Sequence, residues 1–173
     1  MNAPGEGAFR RGIRLGIDVG SVRVGVARSD PAGTLAFPVA TLARPKAVAA
    51  GRPDLDALVD LVREYEPLEI IVGLPLGLDG REGAAASAAR AYVADLALWL
   101  AERRVMVAIR LLDERFSTSQ AARGLRSAGR DARSGRAVID QAAAVIIVQH
   151  ALDAEQATGI PPGTLIDHAE DHS

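Results

Sequence analysis

The chain has 173 residues, 49% of them hydrophobic and 24% charged, which suits one domain around one core and excludes a disordered or fibrous chain. Cysteine is absent, so disulfides, thiolate metal sites and cysteine nucleophiles are excluded. A formal charge of −2 excludes a uniformly basic nucleic-acid binder and leaves any such role to local clusters.

Residues 1–12 and 159–173 lack periodicity and are expected to flank a domain at 13–158 as flexible ends. The first residues hold no apolar run long enough for a signal peptide, and Gly, Pro or charge interrupts the longest apolar stretches elsewhere. A cytoplasmic protein without membrane contact is therefore expected. Residues 13–19 and 22–28 are β-branched runs separated by Gly20-Ser21, a hairpin signal, and 35–40 reads as a third strand. Leu55, Leu58, Val59 and Val62 recur at helical spacing, which predicts an amphipathic helix over 55–65. Residues 70–73 form a short, wholly apolar run, the mark of a strand buried on both faces. Residues 84–103 are alanine-rich and helical. A strand follows at 105–112, then a helix at 117–126 capped by Ser117 or Thr118, and a last helix at 139–157. A hairpin followed by strand–helix–strand crossovers predicts an α/β fold, with a five-stranded mixed sheet covered by helices on both faces.

Three segments carry chemistry. Asp18 ends a buried apolar strand, where a carboxylate is costly unless a metal, a cation or backbone N–H groups compensate it. Gly20 beside it allows a tight turn and close approach of a phosphate; the plainer reading is a hairpin turn with Asp18 capping local amides. Asp113 and Glu114 end another strand, where active sites of open α/β sheets collect. Their side chains point to opposite faces if the strand continues, so only one of them faces Asp18. Otherwise the pair complements the dipole of the following helix. Asp140 falls in the first turn of the last helix, where an acid is common for the same reason. Ala143, Ala144 and Ile147 lie further along that helical face, and the small alanines would let the helix approach the sheet. Together the three places are expected to converge within metal-bridging range. Hard oxygen donors in this number favour Mg²⁺ or Mn²⁺, and two such ions can support phosphodiester hydrolysis.

Basic residues cluster once. Arg123, Arg126, Arg130, Arg133 and Arg136 face a single acid, Asp131. This run reads either as a solvated loop or as an arm, centred on 127–135, whose planar arginine forks contact phosphates. The histidines His150, His168 and His172 lie away from the acids and are not expected as ligands. With aromatic residues at 3%, base stacking cannot dominate recognition.

Four motifs in order resemble the YqgF (RuvX-type) family. They are Asp18-Val19-Gly20-Ser21 with Arg23 and Gly25-Val26-Ala27; Ile71-Val72-Gly73-Leu74-Pro75-Leu76 with Asp79-Gly80; Asp113-Glu114-Arg115 with Ser117-Thr118; and Ile139-Asp140 with Ala143-Ala144. The resemblance spans roughly residues 13–152. It implies a ribonuclease H-like fold related to Holliday-junction resolvases, and a role in maturing the 5′ end of the precursor of 16S ribosomal RNA. By position it makes Asp18, Glu114 and Asp140 both the catalytic acids and the metal ligands, and it marks Arg23 as a position that is often basic. With Arg126, Arg130, Arg133 and Arg136, Arg23 completes the expected nucleic-acid contacts. The family often carries lysines shortly before the last acid; here Arg133 and Arg136 stand nearby, which preserves a phosphate contact but not proton transfer. Gly73-Leu74-Pro75 holds no titratable group and reads as shaping the site.

Two rival readings accompany this one. An ATP-using member of the actin and sugar-kinase class shares the Asp-x-Gly hairpin but needs a second domain and a second phosphate loop, and the sequence has neither. A non-catalytic nucleic-acid-binding protein could keep the fold without the activity. Expected partners are structured RNA or branched DNA. The chain is expected as a monomer or homodimer, since a four-way junction needs two active sites.

Overall fold

The computed structural model describes residues 7–47, 51–115 and 133–166, with the side chains of 133–139 excepted. Alternating apolar residues produce β1 (Arg14–Val19), β2 (Arg23–Ser29), β3 (Ala36–Ala43), β4 (Glu69–Leu74) and β5 (Ala108–Asp113), and a short β6 (Thr164–Leu165) closes the chain. Among the described residues the helices are α1 (Pro53–Tyr65), α2 (Ala84–Glu102) and α3 (Arg133–Thr158). The strands form one sheet in the order β3-β2-β1-β4-β5-β6. β1 pairs antiparallel with β2 and parallel with β4; β4 pairs parallel with β5, and both outer pairings are antiparallel. The mixed sheet is as expected, but it has six strands rather than five.

The period-2 alternation divides each strand between two cores. Leu15, Ile17, Val24, Val26, Ile70, Val72, Ile109 and Leu111 pack against Leu55, Leu58 and Val59 of α1 and against Ala89, Val93 and Leu96 of α2. The alternate residues face α3. Ala27 packs with Ala144, Val148 and Leu152, and Ile71 and Leu112 pack with Ile147 and Ala151. Hence residues sharing strand parity with Gly16, Gly73 or Leu112 face the side of the sheet on which α3 packs. Proline at the start of α1, with Asp54 and Asp56 in its first turn and Arg63 in its last, matches the helix dipole. Pro38 is tolerated because β3 is an edge strand with an irregular register against Val26 and Ala27.

Several boundaries differ from the sequence expectation. β3 runs to Ala43, and β5 starts only at Ala108, after a left-handed turn at Arg104 (φ 56°). α3 begins at Arg133 rather than 139, so Asp140 stands about two turns inside the helix and is not a first-turn acid; the dipole explanation for it fails. The helix expected at 117–126 lies outside the described residues.

Where they are described, the ends at 1–12 and 159–173, expected to be loose, make contacts with the sheet and α3. Thr164 and Leu165 pair with Leu111 and Arg110 of β5. Phe9 packs on the Ala144–Leu152 side of α3. Arg10 donates to Glu69 Oε1 at 2.7 Å and to Glu155 Oε1 at 2.7 Å. Arg14, itself buried, donates to Glu155 Oε2 at 2.9 Å, and Arg110 donates to Glu69 Oε2 at 2.7 Å. This buried ion network ties the N-terminal segment, two strand starts and α3 together. It sits at the end of the sheet where β1 and β4 begin, opposite Asp18. Among the described residues, no helix is long and apolar enough to cross a membrane.

Candidate active site

The carboxyl ends of β1, β4 and β5 lie side by side, as parallel pairing requires. Asp18 is the next-to-last residue of β1. Alternation places Ile17 in the core below α1 and α2, so Asp18 faces α3, where it is fully buried. Its antiparallel partner is Gly25. A side chain at Gly25 would collide with the Asp140 backbone, whose Cα lies 3.3 Å from where a Cβ would stand. Gly16 does the same two residues earlier, under the Ala144 carbonyl and Val148. Two glycines in the sheet and two alanines in the helix thus let α3 rest directly on β1 and β2, and this brings Asp140 beside the strand pair that carries Asp18.

Glu114 follows β5 immediately. Its N–H donates to the Leu74 carbonyl at 3.1 Å, so strand pairing, and with it the alternation, continues one residue past Asp113. That continuation decides between the two acids. Glu114 turns under α3 and is buried, while Asp113 turns away, half-exposed. Asp113 accepts from the Arg115 N–H at 2.9 Å and from Arg115 Nε at 2.9 Å. The Arg115 guanidinium holds the Asp113 carboxyl below the usual carboxylate range despite partial burial. The Glu114 carboxylate lies across Gly73 of the intervening strand: a Cβ at Gly73 would come within 2.5 Å of Glu114 Cδ and 2.7 Å of Ile147 Cδ1. The motif glycine therefore vacates the space that the Glu114 carboxylate fills.

Asp18, Glu114 and Asp140 are all buried on one face of the sheet, at one end. Burying three carboxylates together is unfavourable without compensating cations. One is provided within the chain: Arg23, the first residue of β2 and on the same face as Gly25, points Nε at Asp140 Oδ2 over 3.1 Å. The donor set suits a hard divalent cation, since every candidate ligand is a carboxylate oxygen and Gly73 leaves a cradle for one of them. As placed, no group of three or more His, Asp or Glu side chains among the described residues is gathered to hold one ion.

Of the expected nucleic-acid contacts, Arg23 is at the site, partly exposed and ion-paired. Arg126 and Arg130 lie outside the described residues. Arg133 and Arg136 fall in the first two turns of α3, and their side chains are not described; the expected arm at 127–135 thus has its last three positions in a helix. Sequence reasoning missed Arg44. Its Nη1 donates to the Gly20 carbonyl at 2.7 Å, and its guanidinium lies 5.1 Å from the centre of the Tyr92 ring. The turn after Asp18 is thus bracketed by Arg23 on one face of the sheet and Arg44 on the other. The signal was a basic residue just past a predicted strand, too common to single out. Tyr92 is pinned in turn by Asp54, which accepts from its hydroxyl at 2.9 Å.

Comparison with known proteins adds the following. A family model described as "RuvX: Holliday junction resolvase" matches residues 12–154. The chain is 54% identical over 149 residues to a protein of Nocardia farcinica, covering 85% of this chain and 81% of that one. It is 50% identical over 155 residues to one of Streptomyces coelicolor, covering 90% and 88%, and 50% identical over 166 residues to one of Thermobifida fusca, covering 92% and 98%. All three carry the name "Putative pre-16S rRNA nuclease". Among solved structures, Thermus thermophilus RuvC in complex with a Holliday junction substrate superimposes with a TM-score of 0.53 at 17% identity, covering 90% of this chain and 99% of that one. At that identity the likeness concerns the fold, which is the ribonuclease H-like arrangement expected from the sequence motifs.

Proposed function

This chain belongs to the RuvX family, and from that premise we propose that it is a nuclease that hydrolyses phosphodiester bonds, with precursor 16S ribosomal RNA as its substrate. The single observation that carries the chemistry is the burial of Asp18, Glu114 and Asp140 on one face, at the carboxyl ends of β1 and β5, which flank β4, and on the helix packed over them. Burying these acids costs stability, and costs of this kind are characteristically carried at functional sites. Relatives about half identical over most of their length, all named for this RNA, support the substrate. A four-way DNA junction is the second reading, favoured by the description of the family.

Asp18, Glu114 and Asp140 would hold Mg²⁺ or Mn²⁺, in a pair. Such ions, when bound, activate water and stabilise the leaving oxygen. The chain's own part is positional. Gly73 gives the Glu114 carboxylate its place, Gly16 and Gly25 seat the helix that carries Asp140, and Arg23 offers a fork to a phosphate at the rim. Arg126, Arg130, Arg133 and Arg136 would add phosphate contacts, which supply affinity more than sequence discrimination. The protein is placed in the cytoplasm with its RNA.

The test is cleavage of a precursor 16S fragment and of a four-way junction, side by side, with Mg²⁺ or Mn²⁺. The variant carrying Asp18→Asn, Glu114→Gln and Asp140→Asn serves as control. RNA cleavage that needs the ion and the three acids is expected. Undiminished cleavage in EDTA, or by the triple variant, overturns the reading; cleavage of the junction alone moves the assignment to the second substrate.

A further inference from the structure

Arg23 meets two competing demands. On one side lies Asp140, whose carboxylate is almost fully buried; on the other lies solvent, since about a quarter of the Arg23 side chain is exposed. The guanidinium Nε stands 3.1 Å from Asp140 Oδ2. This is a charge-assisted contact on the carboxylate that the metal-binding reading assigns to a divalent ion. Two cations on one buried carboxylate repel strongly, because the local dielectric is low. The position is not accidental to the fold. Arg23 opens β2, and its alternation partner Gly25 is where the Asp140 backbone rests on the sheet, so the fold delivers the guanidinium to this carboxylate.

We propose that Arg23 is a latch: it holds Asp140 until a nucleic-acid phosphate takes over its guanidinium, and its release admits the divalent ion to that carboxylate. The proposal rests on the metal-binding reading above and adds a coupling that the reading does not contain. A phosphate at the rim satisfies the planar fork of Arg23 as well as a carboxylate does. Exchange of partners then removes the guanidinium charge from the Asp140 carboxylate and favours the ion there. Metal binding and nucleic-acid binding become mutually favourable, by the same factor in each direction. Loading of the site follows arrival of the substrate, which limits idle metal binding by the free protein.

The test measures Mn²⁺ binding by electron paramagnetic resonance on the full chain, first without nucleic acid. Arg23→Gln and Arg23→Met should each tighten Mn²⁺ binding by about tenfold, within the usual range of such couplings. Arg44→Gln removes a positive charge near the same turn without touching the Asp140 pair, and should change the affinity by less than about threefold. Addition of a nuclease-resistant 2′-O-methyl RNA oligonucleotide should tighten Mn²⁺ binding to the unaltered protein and leave Arg23→Gln unchanged. Equal Mn²⁺ affinity in the unaltered protein and both Arg23 variants overturns the latch. So does an equal gain in Arg44→Gln, which would show a general field effect. Asp140→Asn keeps the two levels apart: unchanged Mn²⁺ binding in that variant refutes the metal site itself, whereas lost binding there with inert Arg23 variants refutes only the latch.

Discussion

Gly73→Ala tests whether the placement of Glu114 matters for catalysis. Gly73 lies within a regular strand and is not among the glycines of positive φ, so alanine suits its backbone. The added methyl would stand 2.5 Å from Glu114 Cδ and 2.7 Å from Ile147 Cδ1. Glu114 Oε1 is nearer still; since non-bonded heavy atoms rest at about 3.5 Å, the carboxylate has to retreat by more than about 1 Å. A misplacement of about 1 Å at a reacting centre already costs about 10²-fold in rate. The overpacking itself costs about 1–3 kcal/mol, which a domain of this size survives. Single-turnover cleavage of the RNA substrate, with a thermal melt beside it, is therefore expected to give a folded protein slowed about 10²-fold. On a Glu114→Ala background the same methyl has no carboxylate to displace, so its further effect on rate should stay under about threefold, the signature of coupled sites in a double-mutant cycle. A folded Gly73→Ala protein cleaving at the original rate would refute the reasoning, since Glu114 would then have no positional requirement.

Glu155→Ala strips the buried Arg14 guanidinium of its partner at 2.9 Å and Arg10 of its partner at 2.7 Å. It should cost about 3–5 kcal/mol in chemical denaturation, and a loss below about 1 kcal/mol would show that Glu69 compensates alone. Acid should destabilise the fold. Burial raises the Glu155 and Asp54 carboxyls, but Arg10 and Arg14 around the first, and Arg52 and Tyr92 around the second, outweigh it and hold both below their ordinary values. Folded values below unfolded ones mean that this contribution is complete above the ordinary carboxylate range, about 4–4.5, and is lost as pH falls through the lower folded values. Melting temperatures that rise on acidification from pH 5 to pH 3 would contradict the assignment. Replacing Arg126, Arg130 and Arg133 by alanine should weaken nucleic-acid binding about equally across sequences and flatten its salt dependence by about 2–3 in the log–log slope. An unchanged slope would make the run a solvated loop.

The alternation of apolar residues and the hairpin signal at Gly20-Ser21 were sufficient to read the strand–helix order and to put Asp18 and the Asp113-Glu114 pair at strand ends. Those features depend on neighbours a few residues apart, and local chemistry encodes them. The amphipathic spacing of Leu55, Leu58, Val59 and Val62 likewise identified α1 before any packing partner was known. Which member of the acidic pair faces Asp18 was a different question. It turned on whether β5 keeps pairing past Asp113, and the bond from Glu114 N–H to Leu74 O that answers it joins segments 40 positions apart. The true start of α3 and the pairing of Arg23 with Asp140, 117 positions away, were equally out of reach. So was the network that recruits Arg10 and Glu155 across 145 positions, which binds a segment without periodicity into the fold. Side-chain alternation is fixed by the strand's own geometry, whereas strand register and the seat of a helix are set by packing between distant segments: here the tertiary contact of α3 with Gly16 and Gly25 seats Asp140 on the sheet face that also buries Asp18 and Glu114.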